Sequence, residues 1–299
     1  MSSKTIDIAK VKLSFSGHET FQCRHFWLKK GYEFIIKNGD FKSSNALIEL
    51  GVGKNMISSI SYWLKVFSIC DNQFSLTEFS KKIFNENGFD PYLEDIGTQF
   101  LLHFNLMNNS NIASIYKLTF EDFRRTRITS EFTEKQLFDF ISKKIIQDGY
   151  SFSEKSIKND IRVFLKTYFG GSKRTAKSIE DDFSSILLGL EFIKPVQDIF
   201  IDGEQLFRIQ YHEQNLLNPL LFLFAILSVF ENEESISVEA IQNKISDVFL
   251  CNREGTEEKL NKLDEYGLIV FKQDAGRKEI QIKKIKDKWE VLSKYYGRV

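Results

Sequence analysis

The chain has 299 residues, balances 41 Lys+Arg against 41 Asp+Glu, and is 42% hydrophobic and 27% charged. This composition excludes a disordered chain, and the length suggests two or three domains of about 100–150 residues each. Zero net charge argues at first sight against a basic nucleic-acid protein, while 29 Phe against 3 Pro point to packed helices.

The N-terminal MSSKTIDIAKVKLSF has no apolar run long enough for a signal peptide. Phe15-Ser-Gly-His18-Glu19-Thr20-Phe21 then sets an imidazole beside a carboxylate, with Arg24 close behind, on a loop opened by Gly17. A metal or a general base for phosphodiester cleavage would use such groups. The alternative is that His18 and Glu19 satisfy buried backbone groups at the start of the fold.

The apolar spacing predicts a helix from His25 to Ile36, a break at Asn38-Gly39-Asp40, and a short helix at Ser44–Leu50 capped by Ser44 or Asn45 and stopped by Gly51. Gly51-Val-Gly53 turns the chain into a helix from Lys54 to Val66. Met56, Ile60, Trp63 and Leu64 share its inner face with Ile57 and Phe67, leaving Lys54, Asn55, Ser58, Ser59 and Tyr62 toward solvent. Phe67–Cys70 and Phe74–Leu76, on either side of Asp71-Asn-Gln73, read as a short hairpin. Together these make a winged helix-turn-helix. Its exposed groups are of the kinds that touch phosphates and base edges.

Asp90-Pro-Tyr-Leu-Glu94-Asp95 reads as a helix start with Asp90 as N-cap and Pro91 at N1. Glu94 and Asp95 then sit near the positive helix end, or hold a divalent cation through oxygens. His103 could join that face from two turns further on. Thr133-Glu-Lys-Gln136 is a capping box that opens a helix stopped by Gly149. Ser153 caps the next helix, to Tyr168, whose outer face carries Lys155, Lys158, Asn159, Arg162 and Lys166. Gly170-Gly171-Ser-Lys173-Arg174 is the linker expected after it.

A helix is expected at Ile179–Leu190, and a hairpin from Leu190–Ile193 with Gln205–Ile209. The apolar run Leu216–Phe230, interrupted by Pro219, falls short of the roughly 20 residues that cross a bilayer. It reads as a buried helix opening a third segment that continues through Ser237 to Ile245. Thr256–Tyr266 forms a helix ended by Gly267, and Leu268–Phe271 and Glu279–Ile282 are strands with Arg277 and Lys278 at their turn. This basic wing suits phosphate, although Glu254, Glu257 and Glu258 oppose DNA contact on the helix beside it.

Cys23, Cys70 and Cys251 form no Cys-x-x-Cys pair, so a structural zinc site and a disulfide framework are not expected, and reduced thiols in the cytoplasm are. Phosphate-loop, Gly-x-Gly-x-x-Gly and Gly-x-Ser-x-Gly motifs are absent, which disfavours an ATPase, a dehydrogenase and an α/β-hydrolase. Counted by segment, the neutral chain becomes +5 (1–70), −3 (71–132), +4 (133–180), −9 (181–240) and +3 (241–299). Phosphate binding depends on local potential, so three basic segments keep a DNA face open, while the acidic 181–240 suits a basic protein partner. The expected fold class is mainly α with small β-hairpins and two to three winged helix-turn-helix units. They are divided as 1–110, 111–172 and 173–299.

Phe15–Phe21, Arg24, Trp27-Leu-Lys-Lys-Gly-Tyr32, Leu50-Gly-Val-Gly-Lys-Asn-Met56, Ser59-Ile-Ser-Tyr-Trp63 and Asp90–Asp95 together resemble a bacterial family. It is the domain-of-unknown-function family numbered four thousand and seven. Leu101-Leu-His103 and Ser156–Tyr168 also follow its pattern, with departures at Gln99-Phe100 and Asn105 that bear on helix packing. The resemblance implies a place in phosphorothioation gene clusters beside a cysteine desulfurase, a sulfur-transferring reductase-like enzyme and an ATPase. It implies a component that nicks one DNA strand for sulfur incorporation in defence against phage.

On this reading Lys54, Asn55, Ser58, Tyr62, Lys158, Arg162, Arg277 and Lys278 contact DNA. His18, Glu19, Arg24, Glu94 and Asp95 form the reactive centre, with magnesium or manganese as the expected cation. The competing expectation is a non-catalytic winged-helix adaptor or regulator that positions the sulfur-transfer partners.

Overall fold

Helix starts are set locally, by side chains that accept the backbone N–H groups left over at a first turn. In the computed structural model, which describes residues 12–169, 185–274, 276–283 and 287–298, Thr77, Asp95, Thr133, Ser153, Asn218, Ser237, Asn252 and Asp287 all do so. About half the chain is helical, with two three-stranded antiparallel sheets.

The first stretch contains α1 (Trp27–Ile36), α2 (Ala46–Leu50), α3 (Lys54–Val66), α4 (Glu78–Phe84) and α5 (Ile96–Asn108). Gly51 closes α2 with a left-handed φ of 60°. Gly31 lets α1 meet α3, since a Cβ there would fall 2.6 Å from Leu64. The expected hairpin after α3 is reduced to one bridge, Cys70 to Leu76. Asp90 does not open a helix. The chain turns after it, and α5 begins at Ile96 under an Asp95 cap. Ser59 and Tyr62 are not on the solvent side of α3 either. Ser59 is 0% exposed, and the Tyr62 ring lies where a Cβ on Gly17 would be 2.3 Å away.

The middle stretch runs α6 (Ser114–Lys117), a π-turn (Leu118–Phe123), β1 (Glu131–Phe132), α7 (Glu134–Gln147) and α8 (Glu154–Tyr168). It ends in the hairpin β2 (Ile193–Ile201) and β3 (Glu204–Ile209). The Thr133–Gln136 capping box is formed in both directions. The sheet order is β1-β3-β2, with a bulge between Pro195 and Phe200. Of the helix expected at 179–190, residues 179–184 lie outside the described residues. Only a single 3-10 turn, Leu188–Leu190, follows them. The linker at 170–174 also lies outside.

The last stretch has α9 (Pro219–Val229), β4 (Ser235–Ser237), α10 (Val238–Ile241) with a π-turn to Ser246, α11 (Arg253–Glu265), β5 (Ile269–Asp274), β6 (Arg277–Ile282) and α12 (Lys288–Tyr295). Its sheet order is β4-β6-β5. Leu220 to Ile226 of α9 are all buried, as a helix apolar on every side requires. None of the described helices is long and apolar enough to cross a membrane. One buried cluster runs from Cys23 to Leu292 and draws on all three stretches. Within it Asn105 donates to the Phe67 carbonyl at 3.1 Å and Phe100 is 0% exposed.

Candidate functional site

The loop at Ser16–Phe21 passes over α3 and meets α8. His18, 1% exposed, accepts the Thr20 N–H at Nδ1 (3.1 Å), so its proton sits on Nε2. That nitrogen lies 3.3 Å from Asp160 Oδ1, off the line of a formed hydrogen bond. Asp160 also accepts the Ser16 N–H (2.9 Å). The His18 carbonyl receives the Ser59 hydroxyl at 3.0 Å. The imidazole lies against Tyr62 and Trp63, and burial drives the Tyr62 phenol well above its usual pKa. Glu19, with a left-handed φ of 48°, points to solvent. Arg24 places its guanidinium 5.5 Å from the Trp27 ring.

The second cluster is knitted by its own backbone. Asp90 accepts the N–H groups of Glu94 and Asp95, both at 3.0 Å, and the Thr98 hydroxyl at 2.6 Å. Asp95 caps α5 through Gly97 N–H and receives the Tyr295 hydroxyl at 2.7 Å. Tyr296 sits 2.7 Å from Thr98. Burial first, then the neighbouring Asp95, raises both tyrosines. Glu94 remains exposed. His103 turns away from this cluster. Its Nε2 faces the Val248 carbonyl and its Nδ1 the Tyr168 hydroxyl, both at 2.7 Å. A carbonyl only accepts, so Nε2 carries the proton, and burial pulls the pKa down to about 4.

Among the described residues no hydrogen bond or ion pair joins His18 or Glu19 to Glu94 or Asp95. No group of three or more His, Cys, Asp or Glu there could hold a metal. The partners that sequence reading missed are Asp160, Tyr295 and Tyr296. Each lies far along the chain, and no local signal marks it.

Lys54, Asn55 and Ser58 are exposed along α3. On α8, Lys155, Lys158, Arg162 and Lys166 are exposed. Lys158 meets Glu154 at 3.2 Å and lies over the Phe138 ring. Lys158 and Arg162 line a cavity of about 460 Å³ between α7 and α8, opposite Glu134 and Glu204. Burial and then Glu204 raise the Glu134 carboxyl, against the pull of Arg162. At the β5–β6 turn Arg277 is exposed, while Lys278 donates to Glu257 at 2.7 Å. That hydrogen bond is the main reason the Glu257 carboxyl is lowered.

A family model described as "Protein of unknown function (DUF4007)" matches residues 15–296. No curated protein matches the chain. Two solved structures share its fold over 95% of this chain and 88% of theirs, at 23% identity. "SspB crystal structure" has a TM-score of 0.79, and "Magnesium ion-bound SspB crystal structure" one of 0.81.

Proposed function

We propose, from the premise that this chain belongs to the DUF4007 family of proteins of unknown function, that it binds DNA and nicks one strand in support of phosphorothioate modification in an anti-phage defence system. The basic face of α8 carries the reading. Lys155, Lys158, Arg162 and Lys166 stand exposed on the second helix of a strand–helix–helix–hairpin unit. That order is the plan of a winged helix, which offers such a helix to the major groove. Lys54, Asn55 and Ser58 on α3, backed by Tyr62, and Arg277 and Lys278 at the last hairpin extend the contact to the first and last units. Its working partners on this reading are the cysteine desulfurase, the ATPase and the reductase-like enzyme that the family resemblance implies.

For the chemistry, Glu19 and Glu94 are the carboxylates within reach of substrate. Arg24 lies nearby to meet phosphate, and His18 and Asp95 position the two loops. Magnesium, present in one of the solved relatives, keeps several waters and takes one or two carboxylates plus substrate phosphate. The described residues fit no more than that hydrated mode. A non-catalytic adaptor is the second reading, favoured by a specific observation: His18, Asp90 and Asp95 are each engaged in contacts that hold the fold.

Supercoiled plasmid with the purified protein and magnesium or manganese should become open circular. Glu19→Ala or Glu94→Ala should slow this by about a hundredfold or more while DNA affinity stays. Plasmid that stays supercoiled in both metals, beside a control nickase that cuts, rejects catalysis and leaves the adaptor.

A further inference from the structure

Two aromatic rings stand out from the surface of the first unit. Phe26, just before α1, is 70% exposed, and Tyr92, in the turn before α5, is 65% exposed, whereas Tyr32 and Phe84 of the same unit are 2% and 0%. The two are linked through His25, whose ring meets Phe26 edge-on at 5.1 Å and whose Nε2 lies 3.0 Å from the Tyr92 carbonyl. Burial draws His25 below its ordinary pKa, with Asp90 and Glu94 pulling the other way, so the ring is uncharged at neutral pH.

Cations continue from these rings. Lys29 holds its ammonium 5.9 Å from the Tyr92 ring centre, pairs with Glu33 at 3.4 Å and donates to the Phe84 carbonyl at the end of α4. Lys81 and Lys82 on α4 are exposed and outnumber Glu86 in the lining of a groove of about 530 Å³, shared with Asn85, Gly88 and Phe89. Arg298 reaches the same groove edge through the Asn87 carbonyl.

Ring faces beside a cationic track are what a single strand needs. Every unpaired base has a flat face to stack, and its phosphates follow the positive groove. A duplex hides those faces within its own stack, and an apolar protein partner would have no use for the lysines.

We propose that Phe26 and Tyr92 form a stacking platform for unpaired bases of single-stranded DNA, with Lys29, Lys81 and Lys82 holding its backbone. This rests on the DNA-binding reading and deepens it: α8 holds the duplex, and the first unit holds the strand parted from it.

The test is fluorescence anisotropy with a labelled thymidylate 20-mer and a duplex of equal length, on the full chain. Phe26→Ala and Tyr92→Ala should each weaken single-strand binding about tenfold, the worth of one base on an aromatic face. The double variant should lose about a hundredfold, Tyr92→Phe should retain binding, and duplex affinity should change less than twofold throughout. Equal losses on both DNAs overturn the platform. Unchanged single-strand affinity in the double variant overturns it too and leaves the rings to a protein partner. A wild-type chain that binds duplex but not single strand rejects the platform alone; one that binds neither rejects the DNA-binding reading with it.

Discussion

The second and third units follow one chain plan. Each has a short strand, two helices and a hairpin, with the first strand paired to the last. They dress the second helix oppositely. α8 exposes Lys155, Lys158, Arg162 and Lys166, and of its two acids Asp160 is buried against His18. α11 exposes Glu254, Glu258, Asp264 and Glu265, and its bases are already engaged. Lys259 is 2% exposed and donates to the Glu213 carbonyl, Lys262 meets Glu258, and Arg253 meets Glu257. A shared topology therefore does not decide a shared ligand; the side chains on the presented face do.

The largest expected difference between the two helices is in what their buried charges hold. Asp160→Ala strands the His18 loop and leaves Ser16 N–H without its acceptor. With the donors facing Asp160 left unpaired, it should cost about 3 kcal/mol, read as a lowered urea midpoint. On α11, Lys259→Met replaces a buried ammonium with an apolar chain of similar length and should cost about 1 kcal/mol or less. Equal losses at the two positions would erase the contrast.

His103 sits where both units meet α5, on Tyr168 at the end of α8 and on Val248 before α11. Its folded pKa, about 4, lies below the ordinary 6.5. Above pH 6.5 neither state binds the proton and stability is unaffected. As pH falls from 6.5 to about 4 the unfolded chain takes up a proton that the fold refuses, so stability drops, by on the order of 3 kcal/mol once below both values. His25 shifts in the same direction and adds to the slope. Melting curves from pH 7.5 to 4 check this, and His103→Gln should flatten the dependence.

A smaller effect separates the exposed faces. Reversing Lys158 and Arg162 to Glu should weaken duplex binding about tenfold or more and reduce the salt slope by about two. Reversing Lys262 on α11 should change it less than twofold. Anisotropy across salt concentrations gives both numbers, and a larger loss from α11 would move the DNA face to the third unit. Least of all, Glu257→Gln, which releases Lys278 from a pair whose side chains are 26–27% exposed, should cost less than about 1 kcal/mol by thermal melt.

Much of the local structure was legible. The bounds of α3, the Thr133–Gln136 box, the Ser153 cap, the Gly51 and Gly267 stops and the buried α9 follow from the residues of those segments alone. The Asp90-Pro91 start failed because the same carboxylate serves equally well to tie the Glu94 and Asp95 amides, and Thr98 competes for it. Ser59 and Tyr62 failed because a small hydroxyl and a phenol both fit an inner helix face once the His18 loop lies over it.

By itself the sequence determined helix starts and stops, the apolar faces and the segmental charge, because each depends on neighbours within a turn or on simple spacing. Only the tertiary structure decided what the polar residues do. His18 finds Asp160 across a loop and a helix, Asp95 finds Tyr295 from 200 positions away, and His25 links Phe26 to the Tyr92 carbonyl. Such pairings are set by how buried surfaces close over one another. No one-dimensional pattern encodes which distant side chain will be waiting there.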